Sequence, residues 1–223
     1  VALVAADTEE HARAAAAAVK QELEVLPTYF TFPEACMPNA IQMHETCPNS
    51  YLEAPLHKGT DPEELFDDAP YVVEGSFHSQ HEPHLPIEPD VCQGYYDSEG
   101  NVVVQCKAQA VGEGRESVAQ ACGIPEEKLR LIGNPVGGSF GYSVTANTYA
   151  LPATAVQNLG IPVTLSLNYE EFLHITGKRS STYTNAKLAC DNDGKLLAVQ
   201  YDLGLDHGAY AAMASKIFNN LVS

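Results

Sequence analysis

Apolar and polar positions follow different patterns in successive parts of this chain. At the start, the apolar runs at residues 1–5 and 23–26 predict two short strands. Between them, the sequence from Asp7 to Glu10 predicts the start of an alanine-rich helix over residues 9–19, because capping and acidic groups favour a helix N-terminus. We therefore expect a small strand–helix–strand unit in this part of the chain.

The segment from residue 27 to residue 70 follows neither the strand period nor the helix period. Prolines interrupt it at Pro27, Pro33, Pro38, Pro48, Pro55 and Pro62. Such a segment favours an extended connection that lies against another surface, with one short helix within residues 61–69.

From residue 71 onward, patterns typical of strands and of helices alternate. We predict strands at 71–80, 91–97, 101–108, 128–135, 162–169, 181–191 and 195–206, and helices at 114–123, 148–159 and 170–177. The turn sequences DSEGN and DNDG predict two hairpins, and Gly123 and Gly160 predict helix ends. The sequence therefore predicts an α+β fold with mixed sheets and packed helices.

Composition excludes several classes of function. With 223 residues, 45% of them hydrophobic, the chain is long enough to form a core. Its formal net charge of -17 argues against nucleic acid and anionic membranes as partners, and no apolar run is long enough to span a membrane. The six cysteines have spacings that match no zinc or iron–sulfur pattern, and free thiols favour a reducing compartment such as the cytoplasm.

The stretch NPVGGSFGYSV, residues 134–144, is the most unusual feature of the sequence. It follows a predicted strand, and a glycine-rich turn in that place can present backbone N–H groups to an anion. Its spacing is neither that of a dinucleotide fingerprint nor that of a P-loop. From the residues alone, both a ligand-contacting loop and a tight turn packed by Phe140 and Tyr142 remain open.

Other clusters of polar residues suggest chemistry less strongly. His78, His81 and His84 lie close together in sequence, but Pro83, Pro86 and Pro89 prevent the helix that would align them, so we expect a structural or supporting role for His84 and Glu88 rather than metal binding. Three adjacent pairs are expected to have structural roles at solvated faces, helix starts or strand ends. These are Asp67–Asp68, Glu170–Glu171 and Asp206–His207.

Taken together, several segments resemble the molybdenum hydroxylases, the family of xanthine oxidase and aldehyde oxidoreductase. They are GGSFGY in the glycine-rich stretch, EPHLPIEPD at 82–90, ITGKRS at 175–180, DHGAY at 206–210 and the opening strand–helix–strand. With its tyrosine, the sequence GGSFGY resembles the form of this loop found in the bacterial aldehyde oxidoreductases. The resemblance implies three regions: 1–28 as the end of a preceding α/β hammerhead-like domain, 29–70 as an extended connection, and 71–223 as the first part of the molybdopterin-binding domain.

The resemblance also implies a cofactor: molybdopterin, in its cytosine dinucleotide form, with molybdenum. The residues expected to contact it are Gly137, Gly138, Ser139, Phe140, Gly141, Tyr142 and Ser143. The backbone of Phe140 is expected near the apical ligand of the metal, and Val144 in the substrate funnel. No direct metal ligand and no catalytic residue is expected in this chain, because the general-base glutamate of such enzymes is expected beyond Ser223.

The activity implied for the intact protein is oxidation of an aldehyde or hydroxylation of an N-heterocycle, with water as the oxygen source. Its partners would be a small-molecule substrate, the rest of the large subunit, and domains or subunits with iron–sulfur clusters and FAD, in an oligomeric cytoplasmic enzyme. The isolated fragment is expected to be inactive.

Two positions depart from the family pattern. Ser143 stands where lysine is usual, and Glu82 stands where glutamine is usual. A second hypothesis is therefore a non-catalytic or degenerate module that packs against a partner without cofactor. A third, which the resemblance disfavours, is an independent anion- or nucleotide-binding protein.

Overall fold

A computed structural model describes residues 2–144, 148–210 and 213–221. Its contacts divide the chain into two units. The first unit comprises Val1–Glu24 and Pro83–Gly177, and the second comprises Val25–Glu82 and Lys178–Ser223. The boundaries inferred at residues 28 and 70 concern the domains of an intact enzyme and stay a prediction.

The described chain contains seven α-helices and nine strands, with no named element within 36–61. The helices are α1 (Glu9–Ala18), α2 (Phe32–Ala35), α3 (Pro62–Phe66), α4 (Val111–Cys122), α5 (Ala150–Leu159), α6 (Tyr169–Ile175) and α7 (Ala214–Leu221). The strands are β1 (Tyr71–Ser79), β2 (Glu82–Pro83), β3 (Val91–Tyr96), β4 (Val102–Cys106), β5 (Leu129–Gly133), β6 (Val163–Ser166), β7 (Lys178–Arg179), β8 (Ser181–Cys190) and β9 (Leu196–Asp206). Within the described ranges, no helix has the length and apolar character needed to cross a bilayer.

The first unit is built on a four-stranded mixed sheet in the order β5-β4-β3-β6. Strand β3 is antiparallel to β4 and β6, whereas β4 and β5 are parallel. A parallel pair needs a crossover connection, and α4 provides it. Val104 and Leu129 from the sheet pack with Val118 of α4 and Val156 of α5, and all four side chains are buried. This core fixes the end of β5, from which the glycine-rich stretch continues.

The two predicted hairpins and the predicted helix ends are confirmed. The turn between β3 and β4 has Gly100 at φ +77°, and the turn between β8 and β9 has Gly194 at φ +80°. Gly123 ends α4 and Gly160 ends α5, both in the left-handed conformation that glycine adopts without a steric penalty. These features depend on local sequence, which is why the pattern predicted them.

The two strands predicted near the start are wrong. Residues 2–6 and 20–30 form no strand, Leu23 is 75% exposed and Val25 is 91% exposed; residue 1 lies outside the described residues. A strand needs a hydrogen-bonded neighbour, and none of the strands of the described chain pairs with either segment. The helix between them is confirmed as α1, and the Thr8 side chain caps it by accepting from the His11 N–H.

An ion pair attaches α1 to the rest of the first unit. Arg13 Nη1 lies 2.6 Å from Glu171 Oε1, and Arg13 also donates to the Ser166 carbonyl. Glu171 Oε2 in turn accepts from the Asn168 N–H and completes a capping box at the start of α6. Glu170 and Glu171 therefore begin a helix, as predicted, while Asp67 and Asp68 follow α3 and are exposed.

The second unit is an antiparallel sheet in the order β1-β8-β9, with α2, α3 and α7. Its buried cluster is small and consists of Phe66 of α3 with Ala189 and Ala198 of the sheet. The predicted extended connection contains α2 and the predicted short helix α3, and is otherwise irregular. Together with β9 this connection lines an open cavity of about 1560 Å³.

Candidate functional site

The glycine loop, residues 134–144, continues directly from the parallel strand pair of the first unit. The Asn134 N–H donates to the Cys106 carbonyl at 2.8 Å, and Gln105 Nε2 donates to Asn134 Oδ1 at 2.9 Å. These bonds prolong the β4–β5 ladder by one residue before the chain turns away. The loop ends in a single 3-10 turn, Tyr142–Val144.

The outer side of the glycine loop exposes left-handed backbone. Gly138 has φ +156°, Phe140 +53° and Gly141 +94°. A left-handed residue other than glycine costs about 1–2 kcal/mol, so Phe140 adopts this conformation only because its surroundings impose it. The Phe140 side chain is 65% exposed, and a Cβ added at Gly141 would have no atom within 4 Å. The backbone of Phe140 and Gly141 is therefore both strained and exposed at the surface of the loop.

The inner side of the glycine loop is fixed by buried serines. Ser139 Oγ donates to Gln109 Oε1 and accepts from the Ser143 N–H, both at 2.8 Å. The Gln109 N–H donates to the Ser143 carbonyl at 2.9 Å. Ser139 and Ser143 are 5% and 1% exposed, so both side chains are turned away from solvent. The Ser139 side chain and the Ser143 backbone therefore close the turn.

The segment from His84 to Asp90 runs beside the loop and supports it. The Gly137 N–H donates to Glu88 Oε2 at 2.6 Å, and a Cβ at Gly137 would lie only 2.8 Å from that oxygen. The His84 ring lies 5.9 Å from the Tyr142 ring. Glu88 and His84 therefore contact the loop, and that they support a binding site stays a prediction.

Tyr142 joins the loop to two buried charges that the sequence analysis missed. Its hydroxyl donates to Asp90 Oδ2 at 2.6 Å, and Lys107 Nζ lies 3.6 Å from Asp90 Oδ1. Burial, followed by the nearby Asp90 carboxylate, raises the pKa of Tyr142, so the phenol stays protonated and donates. A usable signal was present, because Lys107 directly follows the apolar strand VVVQC and Asp90 directly precedes β3.

All seven predicted cofactor residues lie on this one loop, but they divide into two groups. Gly137, Phe140 and Gly141 are exposed and Gly138 is half-buried, whereas the side chains of Ser139, Tyr142 and Ser143 are buried. Val144 ends the 3-10 turn and is half-buried. Residues 145–147, which follow it, lie outside the described residues.

The histidines of the HSQHEPH stretch have separate partners. His78 lies against Tyr183, with ring centres 4.4 Å apart. His81 contacts the Arg179 carbonyl at 3.1 Å and Asp206 Oδ2 at 3.6 Å. In the described part of the chain, no three histidine, cysteine, aspartate or glutamate side chains form a group that could hold a metal.

Asp206 and His207 stand at the end of β9, as predicted. Asp206 Oδ1 accepts from the Gly208 N–H at 2.8 Å, and His207 Nδ1 lies 2.7 Å from Ser180 Oγ. Burial lowers the pKa of His207.

The six cysteines are free thiols. Burial is the main cause that raises the pKa values of Cys92 and Cys106 to about 12, and the neighbouring Asp90 carboxylate adds to it. Thiols in that state are poor nucleophiles and poor metal ligands. Cys92 and Cys106 therefore belong to the core.

Residues 43–223 match the family of molybdopterin cofactor-binding domains. The chain therefore belongs to the molybdopterin-binding domain family of the molybdenum hydroxylases, as the resemblance of its motifs indicated.

Two relatives and one solved structure make this assignment more specific. The chain is 42% identical to an aldehyde oxidoreductase of Megalodesulfovibrio gigas over 211 residues, which are 95% of this chain and 23% of that protein. It is 30% identical to the large molybdopterin subunit of nicotinate dehydrogenase from Eubacterium barkeri, over 97% of this chain and 51% of that subunit. The structure of the aldehyde oxidoreductase from Desulfovibrio gigas superposes with a TM-score of 0.91 at 40% identity, over 95% of this chain and 23% of that one. The predicted α+β fold is confirmed.

Proposed function

We propose that the glycine loop binds molybdopterin and its molybdenum in an oxidoreductase that oxidises an aldehyde or hydroxylates an N-heterocycle, with water as the oxygen source. The observation that carries the proposal is the exposed left-handed peptide of Phe140 and Gly141, in a loop held by three side chains of the first unit, those of Glu88, Asp90 and Gln109. Its family context is the 42% identity to an aldehyde oxidoreductase.

The residues of the loop fit an anionic ligand that is rich in oxygen atoms. Among the described residues, the Gly138 and Gly141 N–H groups donate no hydrogen bond. A Cβ at Gly138 would meet only Pro86 Cβ at 3.7 Å, so the backbone there is open to close approach. Backbone N–H groups in a left-handed turn form a concave site that favours anions. The loop can therefore donate hydrogen bonds to a cofactor without interference from side chains.

Within this proposal the residues of the loop have two roles. Gly138, Phe140 and Gly141 contact the cofactor through their backbone, while Ser139, Tyr142 and Ser143 hold the loop in shape. When bound, molybdopterin supplies a metal centre that accepts electrons from the substrate. We assign no residue of this chain to proton transfer, and Val144 is proposed to face the substrate.

The finer identity of the cofactor and the partners is part of the same proposal. We infer the cytosine dinucleotide form of molybdopterin, and iron–sulfur clusters with FAD on other domains or subunits of an oligomeric cytoplasmic enzyme. In support, one relative is named as a large molybdopterin subunit, and the chain spans 23% of the aldehyde oxidoreductase. The regions 1–28, 29–70 and 71–223 are proposed to belong to successive parts of the large subunit.

The alternative is a module that keeps the fold but binds no cofactor. Ser143 in place of the usual lysine favours it, because that position carries no charge. Lys107 does not replace that lysine, because its side chain is 3% exposed and its ammonium lies 3.6 Å from Asp90 Oδ1. Against the alternative stands the 42% identity of the chain to an aldehyde oxidoreductase.

Metal and cofactor analysis of the full-length enzyme, expressed with added molybdate, separates the two functions. The proposal predicts about one equivalent each of molybdenum and molybdopterin per polypeptide. Protein that is folded but contains neither would contradict the proposal and support the cofactor-free module.

A further inference from the structure

Two fully buried charges lie directly behind the glycine loop. Asp90 is 0% exposed and Lys107 is 3% exposed, and Lys107 Nζ lies 3.6 Å from Asp90 Oδ1. A buried ion pair is weak evidence for stability, because the loss of hydration offsets the attraction and well-packed apolar residues serve equally well. The pair therefore calls for an explanation other than stability.

The contacts of both charges converge on Tyr142. Asp90 Oδ2 accepts from the Tyr142 hydroxyl at 2.6 Å and from Thr148 Oγ1 at 2.7 Å. The Lys107 ammonium lies 6.0 Å from the centre of the Tyr142 ring and 5.5 Å from that of Phe172. Phe172 packs edge-on against Tyr142 at 5.2 Å. Tyr142 is thus fixed both at its hydroxyl and at its ring.

Lys107 also fixes the neighbouring support segment. Its ammonium donates to the Glu88 carbonyl, and the Glu88 side chain accepts from the Gly137 N–H. The two ends of the exposed part of the loop, Gly137 and Tyr142, are therefore both connected to Lys107 through one intermediate residue.

The position of Tyr142 determines the position of the exposed peptide. Tyr142 directly follows Gly141, and its N–H closes a turn on the Ser139 carbonyl at 3.1 Å. Phe140 inside that turn has φ +53°, a conformation that reverts unless neighbouring residues hold it. A displacement of Tyr142 would therefore be passed on to Phe140 and Gly141.

We propose that Asp90 and Lys107 are positioning residues for molybdopterin: they hold Tyr142 and, through it, the exposed peptide of Phe140 and Gly141. This inference rests on the proposed function, since it names the residues that give the same loop its binding geometry.

A matched pair of tyrosine variants of the full-length enzyme tests this proposal. Tyr142→Phe removes the hydroxyl that reaches Asp90, whereas Tyr149→Phe removes an equally buried hydroxyl that donates to the Lys107 carbonyl instead. The measurements are the dissociation constant of molybdopterin for the apo-enzyme and the electron paramagnetic resonance spectrum of the bound metal.

Loss of one hydrogen bond predicts a dissociation constant raised about five- to tenfold and an altered spectrum for Tyr142→Phe. The Tyr149→Phe variant is expected to keep the wild-type constant and spectrum despite a similar decrease in melting temperature. Equal constants and spectra for the two variants would overturn the proposal and leave a purely structural role for the pair.

A coupling experiment tests the charged pair itself. Lys107→Met alone leaves Asp90 buried without its partner and is prone to misfold, whereas Asp90→Leu with Lys107→Met removes both charges and is expected to fold. In that double variant, adding Tyr142→Phe should change the dissociation constant by less than about twofold, because the hydroxyl has already lost its acceptor. If Tyr142→Phe raised the dissociation constant as much in the double variant as in the wild type, the proposal would be contradicted. Wild-type enzyme without molybdenum would instead contradict the proposed function.

Discussion

The sequences of the glycine loop and of the histidine-rich stretch HSQHEPH both suggested a functional site, but the side chains around the two regions are arranged differently in the structure. Around the loop, Glu88, Gln109 and Asp90 each fix a different residue of one turn. Along the histidine stretch, His78 and His81 contact separate partners, Tyr183 and the Arg179 carbonyl.

This difference is the reason why we propose the binding site at the loop and not at the histidines. A local concentration of metal-binding side chains does not form one when each side chain has its own structural partner. A loop with almost no functional side chains can form one when buried residues hold its backbone open. Variants in the two regions test this contrast.

Removing the charge of Lys107 should destabilise the protein strongly. Lys107→Met leaves the buried Asp90 carboxylate uncompensated, which costs about 3–5 kcal/mol. Lys128→Met removes an exposed charge from the same unit and should change the free energy of unfolding by less than about 0.5 kcal/mol. Urea denaturation of the two variants measures this difference. Equal stabilities would show that Lys107 is not paired as described.

A methyl group at Gly137 should disturb the support of the loop. The new Cβ would lie 2.8 Å from Glu88 Oε2, so the carboxylate must move, which weakens its bond to the residue 137 N–H. We expect Gly137→Ala to lower the free energy of unfolding by about 1 kcal/mol.

The control for this change is Gly112→Ala in helix α4, where an added Cβ meets no atom within 4 Å. Alanine is the better helix former, so this control should raise the free energy of unfolding by about 0.5–1 kcal/mol. Opposite signs in thermal denaturation are the expected result. A stabilising effect of Gly137→Ala would refute the contact with Glu88.

Replacing the histidines should have the smallest effect on metal content. The double variant His78→Gln and His81→Gln should keep the molybdenum content of the wild type, because neither side chain is part of a metal-binding group in the described chain. Elemental analysis of the full-length enzyme measures this. A lower molybdenum content per polypeptide in the double variant would mean that the histidine stretch does contribute to metal binding and would contradict the contrast.

The sequence predicted those features that depend on local geometry. Hairpin turns, helix ends and the glycine loop were predicted because glycine and capping residues act on their own backbone. The strands at 1–5 and 23–26 were wrong because apolar residues alone do not provide a pairing partner. Each of Asp90 and Lys107 borders an apolar strand, which was a signal of burial, but their pairing could not be predicted because they are 17 residues apart and only the fold brings the two charges to 3.6 Å.

The most direct test of the central claim compares valine at two glycines in the full-length enzyme. Gly141 and Gly100 have φ values of +94° and +77°, and neither would have an atom within 4 Å of an added Cβ. Valine is therefore similarly strained at both, but only Gly141 lies on the proposed cofactor surface. We predict that Gly141→Val lowers molybdopterin content at least about tenfold while Gly100→Val keeps it. Equal cofactor content in the two folded variants would contradict the account.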